Sequence, residues 1–254
     1  MTKTFAMMFS LALIACVAVS PVWAVGDKVR SDNAAGPAGS DGGGEVQTSR
    51  GTPVGGSAQI LGGQEDMTEK NGQSTAPAVL SEVEIEDLIH LREEEKLARD
   101  VYLYLYDVWG QWIFENIAAS EQQHMDAVKN LLDRYAIDDP VGDKAEGVFS
   151  NEDLQELYNT LIDIGASEAS TKLNALWVGA TIEDMDIYDI QCMLINTDRS
   201  DLISVYENLM KGSRNHLRSF GGLLETLGES YEAQYITQEE VDDIISTPKE
   251  TGPN

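Results

Sequence analysis

The chain is 254 residues long and carries 44 Asp and Glu against 17 Lys and Arg, a formal net charge of −27. Charge of that sign repels phosphate backbones and anionic lipid surfaces, which argues against nucleic acid and acidic membranes as partners. It is compatible with attracting cations, although most of the acidic side chains read as a solvated outer face.

Residues 1–24 read as a secretory signal peptide. Lys3 gives a positive start, an apolar run covers 5–19, and Val22-Trp23-Ala24 offers a small-residue cleavage site. A second reading stays open: Leu13-Ile14-Ala15-Cys16 matches a bacterial lipoprotein signal, in which Cys16 would be lipidated and become the new N-terminus. The apolar run continues past Cys16, which favours cleavage after Ala24. Either route predicts an exported domain, periplasmic or extracellular, touching a membrane only through a lipid anchor at Cys16. Cys192 is then the only other cysteine, so no internal disulfide is expected. Cys192 lies in an apolar helical pattern and reads as a buried small hydrophobe.

Residues 25–78 hold twelve of the 22 glycines and almost no periodic apolar content. Such a segment cannot bury enough surface to offset its chain entropy and reads as a disordered linker. One domain follows over 79–246, with a flexible tail at 247–254.

The domain reads as helical throughout, with no convincing strand. Ser81 and Glu84 form a capping box that opens a helix running to Trp109, where Gly110 stops it. A second helix covers about 113–135. Residues 143–149 are loop. Asn151 caps a short helix over 152–164, ended by Gly165. Ser167 is predicted to cap a third long helix to about Ile195, and a fourth runs from the turn at Asn196-Thr197-Asp198 to Leu227. Thr237 and Glu240 cap a last short helix near 241–245. Four long helices with such connections predict an all-α, antiparallel bundle with additional short helices.

At steps of three and four, each long helix has a seam that is apolar at both ends and polar in the middle. The first gives Leu88, Leu91, Glu95, Ala98, Tyr102 and Leu105. The second gives Phe114, Ile117, Glu121, His124, Val128 and Leu131. The third is interrupted by Glu183, and the fourth by Ser213 and His216. In the first helix a register shifted by one residue is equally apolar and puts Glu94 inward in place of Glu95. Carboxylates converging in a core need cations to be tolerable. Carboxylate oxygen with imidazole nitrogen, and no thiolate, suits iron or manganese better than structural zinc.

The order Glu, Glu-x-x-His, Glu, then a further His on four successive helices resembles the ferritin-like di-iron carboxylate bundles. Glu95, Ala98, Arg99 and Tyr102 look like the first-helix motif of rubrerythrins, which favours Glu95 over Glu94. More closely, the stretch from about 80 to 246 resembles an uncharacterised ferritin-like family of bacterial and archaeal proteins. Glu93-Glu94-Glu95-Lys96-Leu97-Ala98-Arg99-Asp100-Val101-Tyr102, Ser120-Glu121-Gln122-Gln123-His124-Met125 and Gly212-Ser213-Arg214-Asn215-His216-Leu217 carry that resemblance, with residues 179–189.

The resemblance implies a ferritin-like four-helix fold and a metal site of Glu95, Glu121, His124, Glu183 and His216. It also implies iron, as a di-iron or mononuclear site, or manganese, with oxidase or peroxidase chemistry. One position departs from the pattern. The fourth helix should offer a glutamate three residues before His216, and Ser213 stands there. Asp186 or Glu94 could supply the missing carboxylate. A homodimer is compatible with this reading.

The competing reading is a non-catalytic, envelope-associated bundle whose buried polar network sets helix register. On that view Glu183 pairs with Arg99 or Arg214, and His216 bonds backbone or Tyr206. His90 reads as a helix-surface residue, Trp109, Trp112 and Trp177 as core, and Tyr102 and Tyr206 as packing residues with hydrogen-bonded hydroxyls. The acidic run Glu93, Glu94 and Glu95 reads as half solvated.

Overall fold

The computed structural model describes residues 79–252. The expected signal segment, lipidation site and Gly-rich linker lie outside them, as do the last two residues. Six helices follow in order: α1 Glu82–Trp109, α2 Trp112–Tyr135, α3 Glu152–Ala166, α4 Lys172–Asn196, α5 Ser200–Thr226 and α6 Gln238–Ser246. There is no strand among the described residues.

The predicted caps open α1, α3 and α6. Ser81 accepts from the Glu84 backbone, Asn151 from Asp153 and Leu154, and Thr237 from Glu240. Each satisfies donors that the first helical turn leaves without partners. Glu84 does more than cap. Thr197 Oγ1 donates to its Oε1 at 2.6 Å, which ties the start of α1 to the α4–α5 connection. Gly110 closes α1 in the left-handed region at φ +60° and donates its N–H to Tyr106 O at 2.7 Å.

Two boundaries differ from expectation. Gly165 does not end α3 but lies inside it, where a Cβ would come within 2.9 Å of Leu105 Cδ2. Its role is close packing against α1, and its carbonyl accepts from Trp109 Nε1 at 2.8 Å. Ser167 does not open α4. Ser170 Oγ donates to Ile164 O at 2.6 Å, which closes the turn after α3, and Thr171 with Asn174 forms the capping box of α4.

α1 packs on α2 and α4 on α5; contacts of α1 with α4 and of α2 with α5 join the two pairs. α3 lies against α1 and α4, and α6 against α5. Residues 247–252 also meet α5, with Glu250 Oε2 2.6 Å from Arg214 Nη2 and Glu250 Oε1 2.9 Å from Arg218 Nη2. Gly179 lets α5 approach α4: a Cβ there would lie 2.4 Å from the Phe220 ring.

The core divides in two. One apolar cluster includes Leu97, Tyr102, Phe114, Leu176 and Phe220. The other includes Leu88, Leu91, Val128, Leu131, Ile190 and Leu209. Both contain residues from α1, α2, α4 and α5, so the apolar seams at the two ends are realised. Burying each such side chain contributes roughly 1.5–3 kcal/mol. Glu94, Glu95, Glu121, His124, Glu183, Asp186, Ser213 and His216 are buried at the seam positions between them.

Other expectations fail at particular side chains. Trp112 is 67% exposed at the start of α2, its ring 5.8 Å from that of Tyr106 rather than in the core. Tyr206 is buried, but its hydroxyl has no hydrogen-bond partner. Cys192 is half-buried rather than buried. Glu93, Glu94 and Glu95 are all buried, because α1 is covered by α2, α3 and α4 together.

Candidate metal centre

Glu95 comes from α1, Glu121 and His124 from α2, Glu183 from α4 and His216 from α5. The structure brings all five together. Glu121 is the common member. Its Oε2 lies 2.7 Å from His124 Nδ1, one helical turn along α2, and its Oε1 lies 2.8 Å from His216 Nδ1 across on α5. Each imidazole also meets a second carboxylate. His124 Nδ1 is 3.2 Å from Glu95 Oε2, and His216 Nδ1 is 3.3 Å from Glu183 Oε2. The two rings stack with centroids 5.7 Å apart.

Two trios therefore share one carboxylate: Glu95, Glu121 and His124 on one side, Glu121, Glu183 and His216 on the other. In each, one donor atom per residue lies within 4.8 Å of the others, the span of ligands about a single ion. Glu121 Oε1 forms no hydrogen bond despite its 2.8 Å approach to His216 Nδ1.

Neighbouring groups orient these side chains. Tyr102 donates its hydroxyl to Glu183 Oε1. Ser120 Oγ lies 3.0 Å from His216 Nε2, which leaves Nδ1 to face the carboxylates. Gly212 on α5 makes room for His124, because a Cβ there would sit 2.5 Å from Nε2 of that ring.

Asp186 answers the departure at Ser213. One turn along α4 from Glu183, it reaches α5 and accepts a hydrogen bond from Ser213 Oγ. Its other oxygen, Oδ1, is buried with no partner. A carboxylate thus reaches the short side chain at 213 from the neighbouring helix, beside the two trios.

Electrostatics follow from this crowding. Burial works to raise the Glu121 pKa, but His216 and His124 together outweigh it and hold the carboxyl well below the usual range. Burial raises Glu95 to about 7, against the pull of His124. Burial, with Glu95 and Glu183 nearby, pushes Asp186 well up. Burial also raises Glu183, opposed by His216. For the imidazoles burial works downward, yet the carboxylates win: Glu121 and Glu95 hold His124 well up, and Glu121 and Glu183 raise His216 to about 10. The cluster holds protons that a cation would displace.

The alternative pairing of Glu183 with an arginine does not occur. Arg99 bonds Asp100 and Gln122, and Arg214 bonds Glu250. Nor does His216 bond Tyr206. His90 is not simply on the surface: its Nε2 lies 3.7 Å from Glu94 Oε2 and 3.8 Å from Asp189 Oδ2. The choice between Glu94 and Glu95 dissolves as well, because both are inward, Glu95 toward α2 and Glu94 toward Asp189 on α4. Sequence reading missed Ser120, Gly212 and Asp189. The Glu-x-x-His spacing signalled only the residues it names. His90 and Glu94, four apart on one helical face, were legible as a pair, but their partner on α4 depends on helix register.

A family described as "Uncharacterized protein domain (DUF2202)" matches residues 84–248. An "Uncharacterized protein MJ0754" from Methanocaldococcus jannaschii is 54% identical over 175 residues, which cover 69% of this chain and 93% of that protein. The crystal structure of hypothetical protein MJ0754 from Methanococcus jannaschii superposes with a TM-score of 0.64 at 55% identity, covering 67% of this chain and 96% of that one. With a bundle, a buried carboxylate–imidazole cluster and a match over most of the described residues in hand, the chain belongs to the DUF2202 family.

Proposed function

We propose that this domain is a ferritin-like metalloprotein in which Glu95, Glu121, His124, Glu183 and His216 hold a pair of iron or manganese ions, with Asp186 as the additional carboxylate. The observation that carries the reading is Glu121, whose two oxygens face two different imidazole nitrogens at 2.7 and 2.8 Å. Glu121 belongs to both trios and would serve as a ligand in each. Two divalent ions would also offset the charge of the four buried carboxylates Glu95, Glu121, Glu183 and Asp186, which two imidazoles alone cannot.

Iron or manganese held by such oxygen and nitrogen donors would supply electron transfer toward oxygen or peroxide. The chain's own residues supply the rest. Tyr102 and Ser120 fix the Glu183 carboxylate and the His216 ring, and the apolar clusters on either side limit water. The N-terminal leader and the linker of 25–78 would deliver this domain to an exported location, tethered if Cys16 is lipidated.

The competing reading, a metal-free structural network, draws support from the ion pairs that Glu121 makes with both imidazoles. It leaves Glu95 Oε1 and Asp186 Oδ1 buried without partners. Each such group costs about 1–3 kcal/mol or more, which favours a bound cation. The test is elemental analysis of protein purified from its native compartment, followed by Fe(II) oxidation with oxygen or peroxide. At least two equivalents of iron or manganese with turnover support the proposal; metal-free, inactive protein that takes up neither ion overturns it.

A further inference from the structure

A second group of donor atoms lies outside this centre, on the seam between α1 and α4. His90 and Glu94 are one turn apart on α1, and Asp189 faces them from α4. One ligand atom from each lies within 4.8 Å of the other two. An acidic group near a histidine is ordinary on a protein of this charge. Glu94 is not ordinary: it is 1% exposed, and neither of its oxygens has a hydrogen-bond partner.

Leaving that carboxylate buried and unpartnered is costly. The imidazole nitrogen His90 Nε2 stands 3.7 Å from Glu94 Oε2, beyond hydrogen-bonding distance. Asp189 Oδ2 stands 3.8 Å from the same nitrogen. Both separations between His90 and the carboxylates exceed a hydrogen bond and suit ligands arranged around a shared ion. A proton on Glu94 would neutralise it and let one oxygen donate to Asp189, but the other oxygen and the His90 nitrogen, 3.7 Å away, would stay unbonded to each other. A divalent cation satisfies oxygen and nitrogen together.

We propose that His90, Glu94 and Asp189 form a further divalent-cation site, separate from the Glu121 centre, with one imidazole nitrogen and two carboxylates as its protein ligands. This donor set suits manganese, iron(II) or zinc and offers no sulfur to favour a softer ion. The site opens outward. His90 and Asp189 are 19% and 15% exposed, so solvent can complete the coordination shell and the ion can exchange. It shares no ligand with the two trios around Glu121, and it stands or falls independently of them.

The test uses manganese(II) as the probe and the full chain as the protein. Equilibrium dialysis counts bound manganese for the wild type, for His90→Gln, for Asp189→Asn and for Glu121→Ala. The expected result is the loss of one equivalent in each of the first two variants. Glu121→Ala should retain that equivalent while losing manganese from the other centre. Unchanged stoichiometry in both His90→Gln and Asp189→Asn overturns the proposal. Should a variant fail to fold, anomalous diffraction from wild-type crystals soaked in manganese(II) decides. A peak within bonding distance of His90 Nε2, Glu94 and Asp189 supports the site, and no peak there at saturating manganese overturns it.

Discussion

Glu121 Oε1 lies 2.8 Å from His216 Nδ1, although the two residues sit on different helices, α2 and α5, 95 positions apart in the chain. No local propensity brings them together; only the packing of α2 against α5 does. The bundle is thus assembled around a carboxylate–imidazole contact that removing either partner would break.

Glu121→Ala is expected to abolish metal-dependent Fe(II) oxidation. It removes a ligand from both trios at once, so metal affinity should fall by more than the roughly 10–100-fold seen when a supporting residue is lost. Isothermal titration with manganese(II), alongside the oxidation assay, checks both. Asp186→Asn should weaken binding less, because Asp186 stands beside the trios.

Metal loading should stabilise the fold. Free metal at about 100 times its dissociation constant adds roughly 2.7 kcal/mol to a single-site protein. For a domain of this size that corresponds to a Tm rise of about 5–10 °C. Calorimetry of chelated and manganese-loaded protein measures it. An unmoved midpoint would favour the structural network.

Binding should release protons and tighten as pH rises. Burial raises Glu95 to about 7, so below that pH the metal must displace its proton, and above it the carboxylate is already ionised. His216, raised to about 10 by Glu121 and Glu183 against the effect of burial, still carries a proton to be released at neutral pH. Affinity is therefore expected to climb between pH 6 and 8. Titrations in buffers of different ionisation enthalpy should report net proton release at pH 7.5.

Gly212→Ala and Gly222→Ala should act in opposite directions. Both glycines lie in α5, where alanine is intrinsically favoured by about 1 kcal/mol. At 222 there is open space, and the gain should appear as a higher Tm. At 212 the new Cβ would meet His124 Nε2 at 2.5 Å and push the ring from its seat. The expected result is weakened manganese binding, measured by the same titration.

Much of this was legible in the sequence. Caps at Ser81, Asn151 and Thr237 and the stop at Gly110 located helix ends, because each supplies a specific hydrogen bond or backbone conformation. The interrupted seams found Glu121, His124, Glu183 and His216 because helical periodicity alone puts them inward. Periodicity failed where a helix is covered on more than one side. It treated Glu94 and Glu95 as rivals when both are buried, and it left His90 on the surface. Ser167 misled because Thr171 offers the same cap chemistry four residues later, and the intervening turn is closed by Ser170. Asp186 was visible only as an option, since its reach to Ser213 depends on how α4 and α5 are rotated against each other.

The triplet Glu93, Glu94 and Glu95 has a mechanical consequence. Successive helical residues point about 100° apart, so three in a row radiate around the α1 axis. Glu93 accepts from the backbone of Ser150 and Asn151 at the start of α3, Glu94 turns toward Asp189 on α4, and Glu95 meets His124 on α2. Each spoke faces a different neighbour. Twisting α1 by a single residue would turn all three away from these neighbours together, so the acidic run keys the helix against rotation.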